Sequence, residues 1–359
     1  MKVKKERAQL VTALGDIKPA IPRKGDDDMI RKVIFTGHDI AGYGEDMIMV
    51  VPYETDFATV APSEEIAQML QRVTATQFTL SFNAQNQIVM EAVKEADPEK
   101  NTRKTTMKTV LKTNPDSHLI EELTTGLLAE IATAEWYELS EDDCFGEAIK
   151  RCMYSASKDG TQPELACVHI AGAIVASSDD YRVSRYVLPY EFAGDVLIKA
   201  ETCIQMSRFV FTRYAITNTW VLFLTADNKL LASRLLFLEY GDLDQFLDFT
   251  GTDYPLPDKL AEHVEHVALM SAGDHDIEKE ITVTLEAAKV TLKAEREVGF
   301  AEIEIEADLA ITDPVSFTVN PTFFAAMLTG TDDVVNIGAD KAVFEIGDYF
   351  KHLVSLTVV

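Results

Sequence analysis

Phe78–Ala92 reads FTLSFNAQNQIVMEA: an alternating apolar run, a polar turn around Asn86, and a second apolar run. Alternation at a period of two marks half-buried strands, and Asn accepts the backbone of a tight turn, so the stretch predicts a β-hairpin. The pattern returns at Trp220–Arg234 (WVLFLTADNKLLASR) and at Val334–Gly347 (VVNIGADKAVFEIG), with Asn228 and Asp340 in the turns. Three copies spaced at about a third of a 359-residue chain point to one unit written three times.

Working outward, each hairpin follows a helix with a start signal: Ser63 before Glu64–Val73, a region near Lys199 before Glu201–Phe211, and Asn320-Pro321 before Thr322–Leu328. Each copy opens further upstream with an amphipathic helix. These are Glu6–Ile17 (Leu10, Val11, Leu14, Ile17), Cys144–Ser155 (Phe145, Ile149, Met153) and Lys259–Met270 (Leu260, Val264, Val267). The reading is an α+β protein of three domains, 1–118, 119–248 and 249–359, each with antiparallel sheets backed by two helices. Lys112–Glu135 is expected to be a first linker carrying an extra helix, LIEELTTGLLAEI, and Asp248–Asp258, rich in Gly, Thr and Pro, a second linker. In the middle domain a short hairpin is expected to turn at Ala171-Gly172.

A hydrophobic content of 47% over this length supports a substantial core and excludes a disordered chain. No run of about 18 apolar residues occurs and MKVKKERAQL lacks an apolar signal core, so a cytoplasmic protein without membrane contact is expected. Cys144, Cys152, Cys167 and Cys203 form neither a CxxC pair nor a spaced zinc quartet, and read as reduced packing residues.

The formal charge of −26 excludes a protein that coats nucleic acid with its whole surface. Its distribution is uneven. Residues 1–24 carry seven basic side chains against Glu6 and Asp16, whereas the chain from Asp248 onward holds 7 basic against 22 acidic, a net of −15. A protein acidic outside and locally basic can still hold DNA through a lined channel.

Catalytic patterns are absent: no P-loop, GxSxG elbow or GxGxxG run occurs. His263 and His266 could face one way on a helix and bind a metal, but no third ligand is identifiable and an exposed polar face accounts for them. Glu302, Glu304 and Glu306 alternate with Ile303 and Ile305, as on the wet face of a strand. Neither an enzyme nor a metal or other cofactor is expected.

Ala176–Tyr186, ASSDDYRVSRY, resembles the middle-domain signature of bacterial DNA polymerase III β sliding clamps, a Thr-Asp-Gly-His-Arg-Leu run after a strand. Ser178 stands for the Thr, Asp179 and Arg182 match, and Asp180, Tyr181 and Val183 replace Gly, His and Leu. The likeness extends through MKVKKERAQLVTAL, IFTGHDIAGYGEDMIMVV, APSEEIAQMLQRV and the closing VSFTVNPTFFAAMLTGTDDVVNIGADKAVFEIGDYFKHLVSLTVV. The chain departs from the family's Met-Pro-x-Arg-Leu tail, ending Val354-Ser355-Leu356-Thr357-Val358-Val359, which suggests a divergent, phage-encoded or otherwise remote member.

The resemblance implies a DNA-clamp fold that closes as a homodimeric ring, encircles duplex DNA without reading sequence, and tethers a DNA polymerase after loading by a clamp loader. It implies inward helices whose cations meet phosphates: Lys5 on the first, Arg72 on the second, Lys150 and Arg151 on the third, Arg208 and Arg213 on the fourth, with Lys199, Arg23 and Lys24 beside them. It implies a partner-peptide pocket from Leu165, Tyr181, Arg182, Val183, Phe246, Leu353 and Leu356, edged by Ser178, Gln245 and Ser355. The dimer contact would bring a strand with Thr105, Met107, Thr109 and Leu111 against the segment following Leu269 and Met270. Two other readings stay open: a clamp-fold adaptor that docks proteins without encircling DNA, and a secreted-type carbohydrate hydrolase, against which the repeat and the absent signal segment weigh.

Overall fold

The computed structural model describes the chain except residues 1–2, 23–30, 74, 95–103, 140–141, 143, 249, 272–278, 310, 329–333 and 359. It forms two compact units, Met1–Gly146 with Ile204–Leu236, and Glu147–Cys203 with Phe237–Val359. These units and the three sequence repeats are different divisions of the chain, because strand pairing in the sheets joins segments that are distant in sequence.

The first unit holds two antiparallel sheets. One contains β1 (Val3–Glu6), β6 (Gln77–Asn83), β7 (Gln87–Lys94) and β8 (Thr105–Lys112), in that order. The other contains β2 (Lys32–Phe35), β3 (Asp39–Tyr43), β4 (Met47–Pro52), β5 (Thr59–Pro62), β9 (Trp136–Glu138), β12 (Phe211–Ile216), β13 (Trp220–Thr225) and β14 (Leu230–Arg234). Its order is β5-β2-β3-β4-β14-β13-β12-β9. The seam between β4 and β14 runs from Leu230 opposite Val50 to Ser233 opposite Met47, which carries residues 204–236 into this unit.

Helices cover this sheet on both faces. Helix α1 (Arg7–Ile17) buries Leu10, Ala13 and Ile17 and packs on β3 and β4, beside α2 (Ser63–Arg72) with Ile66, Met69 and Leu70 buried. On the opposite face lie α3 (His118–Glu121), a π-helical turn (Glu122–Leu127) and α4 (Leu128–Thr133). There Leu119, Leu123 and Leu127 join Ala41, Ile48, Val50, Trp220 and Leu222 in one core, so the extra helix expected over 119–131 is a structural lid.

The second unit also holds two antiparallel sheets. One runs β10-β11-β22-β21-β20-β15, from β10 (Cys167–Ser178), β11 (Arg182–Lys199), β15 (Thr252–Pro255), β20 (Val334–Ile337), β21 (Lys341–Ile346) and β22 (Phe350–Ser355). The other runs β18-β17-β16-β19-β23, from β16 (Ile281–Glu286), β17 (Lys289–Arg296), β18 (Gly299–Glu306), β19 (Val315–Val319) and β23 (Thr357–Val358). Its helices include α7 (Asp244–Leu247), α8 (Leu260–Ala268) and α9 (Pro321–Ala325), while α5 (Cys144–Cys152) and α6 (Ala200–Met206) run across the unit boundaries.

The three hairpins stand where the alternation placed them, and Asn86 and Asn228 take left-handed φ of 56° and 61° in the first two turns. Three expectations are corrected. Ala171-Gly172 is a β-bulge: β10 continues through it, the register shifts around Gly172 at φ 55°, and the chain reverses at Asp179–Arg182. The second helix of the middle repeat ends at Met206, because the β-favouring run from Phe211 is taken into β12. The second linker contains β15, held on β20 by its ladder and by Asn336 donating to Asp253 at 2.6 Å.

Gly42 on β3 faces α1 so closely that an added Cβ would collide with the Ile17 carbonyl oxygen. Gly42→Ala should therefore cost about 1–3 kcal/mol in urea denaturation. Gly126→Ala, with no atom within 4 Å of the added carbon, should leave stability unchanged or raise it.

Candidate functional site

The signature turn is built by Asp179. Its Oδ1 accepts from the backbone N–H groups of Tyr181 and Arg182 at 2.9 and 2.8 Å, and its Oδ2 accepts from Arg182 Nε and Nη2 at 3.1 and 2.8 Å. Both charged side chains are nearly buried, at 9% and 12% exposure, so the pair is shielded from water and fixes the guanidinium. That guanidinium lies 3.9 Å from the ring centre of Phe323. Phe323 is positioned in turn by the Asn320 cap, whose side chain accepts from the N–H groups of Thr322 and Phe323.

Next to this turn, Val183 on β11, Leu353 on β22 and Val343 on β21 lie opposite one another across three strands. Leu243 and Leu247 pack over them. Exposed aromatic surface stands on the same elements: Tyr181 is 45% and Phe246 47% exposed. The Tyr181 carbonyl accepts from Ser355 N–H at 2.9 Å, and Ser178 Oγ donates to the Arg182 carbonyl at 3.0 Å.

The sequence-derived pocket is thus partly brought together. Ser178, Tyr181, Arg182, Val183, Leu353 and Ser355 converge and Phe246 stands exposed on α7 next to Leu247, whereas Leu165 and Leu356 are not part of the Val183–Leu353 cluster and Gln245 hydrogen-bonds the Asp242 carbonyl. Leu243, Leu247, Val343 and Phe323 were not anticipated. Leu243 and Leu247, four residues apart in LDQFL, were the available signal for the first pair.

Next to Val183 in the chain, Ser184 belongs to a sealed polar network. Ser184 Oγ is 2.7 Å from both Ser155 Oγ and His352 Nδ1, and all three residues have no solvent exposure. A serine–histidine pair has the geometry of an activated nucleophile, but no substrate reaches one enclosed in this way. Burial, with Arg182 adding repulsion, holds the His352 pKa well below the ordinary histidine value.

The candidate DNA-facing cations occupy several kinds of element. Arg72 ends α2 and Lys150 lies on α5; both are exposed and form no ion pair among the described residues. Arg151 on α5 bonds Glu147 at 2.8 Å, Arg208 in the turn after α6 reaches Gln205 at 3.2 Å, and Lys199 ends β11. Arg208 therefore lies beyond the helix it was expected on, and two further placements are corrected. Lys5 lies on strand β1 with its ammonium 4.9 Å from the Tyr53 ring centre, because pairing with β6 claims Val3–Glu6 before the helix begins. Arg213 lies on β12 opposite Glu138 and over Trp136, since the helix ends before it. Arg23 and Lys24 fall outside the described residues.

No family model matches the sequence, and no curated protein matches it. Solved structures do match over the whole chain, and they define a DNA-clamp fold. The DNA polymerase β subunit of Streptococcus pyogenes aligns with a TM-score of 0.80 at 15% identity, covering 100% of both chains. The DNA polymerase III subunit β of Borrelia burgdorferi gives 0.80 at 13% identity with the same coverage. The DNA polymerase sliding clamp of Bacillus subtilis gives 0.78 at 14% identity, covering 100% of this chain and 99% of the other. The chain therefore has the fold of the bacterial β sliding clamps, at a low level of sequence identity.

His352 supplies a pH test. Its ordinary pKa is near 6.5 and its folded value is lower, so the neutral form's contribution is complete above about pH 6.5 and is lost as pH falls toward the depressed value. Unfolding free energy should fall between pH 7 and 5 more steeply in the parent than in His352→Gln, by at most about 1.4 kcal/mol per pH unit. Parallel slopes in urea titrations would contradict this assignment.

Proposed function

We propose that this chain is a processivity factor, a non-enzymatic sliding clamp whose two copies close head to tail around duplex DNA and tether a polymerase through the Tyr181–Leu353 cleft. The observation that carries the reading is the agreement of fold over the full length of the known clamps. Its partners are double-stranded DNA, held without sequence preference, a polymerase and a clamp loader, and its setting is the cytoplasm. Among the described residues no helix is long and apolar enough to cross a membrane.

Two open sheet edges support closure. β8 ends its sheet with Lys108 and Lys112 exposed and Met107, Thr109 and Leu111 half-buried, with Thr105 exposed at its start. β18 ends another, with Phe300, Glu302, Glu304 and Glu306 exposed and Ala301, Ile303 and Ile305 half-buried. An antiparallel pairing of β8 with β18 of a second copy would satisfy both edges, set lysines against glutamates and join two apolar rows. Leu269 is 72% exposed, and Met270 Cε comes within 3.6 Å of where a Gly299 Cβ would stand, so both flank the β18 end of this contact. The segment directly after Met270 falls largely outside the described residues, and β18 is an open edge that the described chain offers to β8.

A topological link needs only sparse phosphate contacts, which suits a chain with scattered cations and an acidic C-terminal third. The test is polymerase processivity on circular primed DNA. Reversing Lys150, Arg151 and Arg208 together should shorten product length and flatten the log–log salt dependence by about one unit for each phosphate no longer neutralised. Lys351→Glu, at a side chain already paired to Glu345 at 2.6 Å, should change neither. Unchanged processivity in the triple variant would favour the adaptor that docks proteins without encircling DNA.

A further inference from the structure

Val183 and Leu353, members of one apolar cluster, alternate along β11 and β22 with Ser184 and His352, which face each other across the same ladder. Successive side chains of a strand point to opposite faces, so Ser184 and His352 lie on the other side of the seam from Val183 and Leu353. There they meet Ser155, the last residue of the turn Met153–Ser155 that follows α5. Ser184 Oγ bonds both partners, and Ser155 Oγ lies 3.4 Å from the same His352 nitrogen. One cluster thus ties together the end of α5, β11 and β22, all within the second unit.

The cluster has no place for a second proton on the imidazole. Nδ1 is engaged by the serine hydroxyls, and Nε2 is shut off from solvent with no hydrogen-bond partner. The Phe350 ring stacks at 6.5 Å, and Phe344 stands opposite His352 on β21. The charged groups nearby offer no compensation. On β11, Arg182 is itself cationic and is paired with Asp179. On α5, Arg151 lies over Phe350 and is bonded to Glu147, which also accepts from the Tyr186 hydroxyl at 3.4 Å, and burial keeps the Cys152 thiol protonated. Arg185 with Asp244, and Lys351 with Glu345, occupy the alternate positions that point to the opposite face. An imidazolium here would combine a buried charge with an unsatisfied N–H, and opening the seam to water relieves both.

We propose that this cluster is a proton-operated latch: with His352 neutral it holds the β11–β22 seam shut, and proton uptake at His352 opens the seam locally and parts Val183 from Leu353. Its regulatory consequence rests on the reading of that cleft as the partner site, whose partners would be held at neutral pH and released on acidification. The imidazole takes up a proton near pH 6.5 when open to water and only at lower pH when sealed. Below about pH 6.5, each unit of acidification should therefore favour the open seam by up to about tenfold.

Amide hydrogen exchange of the full chain between about pH 7.5 and 5.5 tests the latch, with each rate divided by the intrinsic rate at the same pH. Protection of Arg182–Tyr186 and Phe350–Val354 should fall by up to about tenfold per pH unit below about pH 6.5. The loss should be insensitive to low concentrations of urea, because a local opening exposes little surface, whereas exchange through global unfolding steepens with urea. In His352→Gln, which cannot take up the proton, seam protection should be independent of pH. His352→Leu, apolar in a sealed core, serves the same purpose if the glutamine variant does not fold. Constant seam protection in the parent, a loss that grows with urea, or a loss that persists in the variants would each overturn the proposal. No partner takes part in this measurement, so its failure counts against the latch and leaves the reading of the cleft to polymerase processivity.

Discussion

A β-strand presents backbone donors and acceptors on both sides, and a sheet is complete only when both sides are paired, covered or engaged by another chain. That constraint organises this molecule. In the first unit β4 meets β14, and in the second β11 meets β22, so strands far apart in sequence satisfy one another and extend the sheets to eight and six strands. At β8 and β18 no such partner exists within the described chain, and their exposed side chains carry opposite charge. The proposed closure with a second copy would apply the same rule between molecules.

The signature turn shows how a divergent sequence can keep a local geometry. Two of the signature's residues, Asp179 and Arg182, are paired with each other, so they form the scaffold, while the replaced residue Tyr181 supplies exposed surface. Arg182 carries this order onward to Phe323 by stacking, and Phe323 depends on the Asn320 cap. The chain end follows a different course from a Met-Pro tail: Leu356 N–H donates to the Asp340 carbonyl and Thr357–Val358 adds to β19.

Much of the fold was legible because its signals are local. Alternation, Asn at left-handed turns and apolar periodicity located all three hairpins and most of the helices; Asn320 caps α9 as expected, whereas Ser63 is the first residue of α2 and makes no cap bond. Pairing between remote strands has no local signal, so the β4–β14 seam could not be read, and Arg213 was assigned to a helix that the strand run from Phe211 replaces. Gly and Pro in Asp248–Asp258 suggested a linker, although an edge strand tolerates both residues and β15 forms there. Of the cleft, the contiguous Tyr181-Arg182-Val183 run and Leu353 were legible by resemblance, while Val343 and Phe323 entered through packing that spacing does not encode.

Pairing of β8 with β18 between copies is the central claim, and amide hydrogen exchange combined with solution mass tests it most directly. At micromolar concentration the protein should have twice its 39.9 kDa chain mass, and the Thr105–Lys112 and Gly299–Glu306 amides should lose protection together on dilution. A 39.9 kDa species at all concentrations, with both strands exchanging freely, would contradict the account.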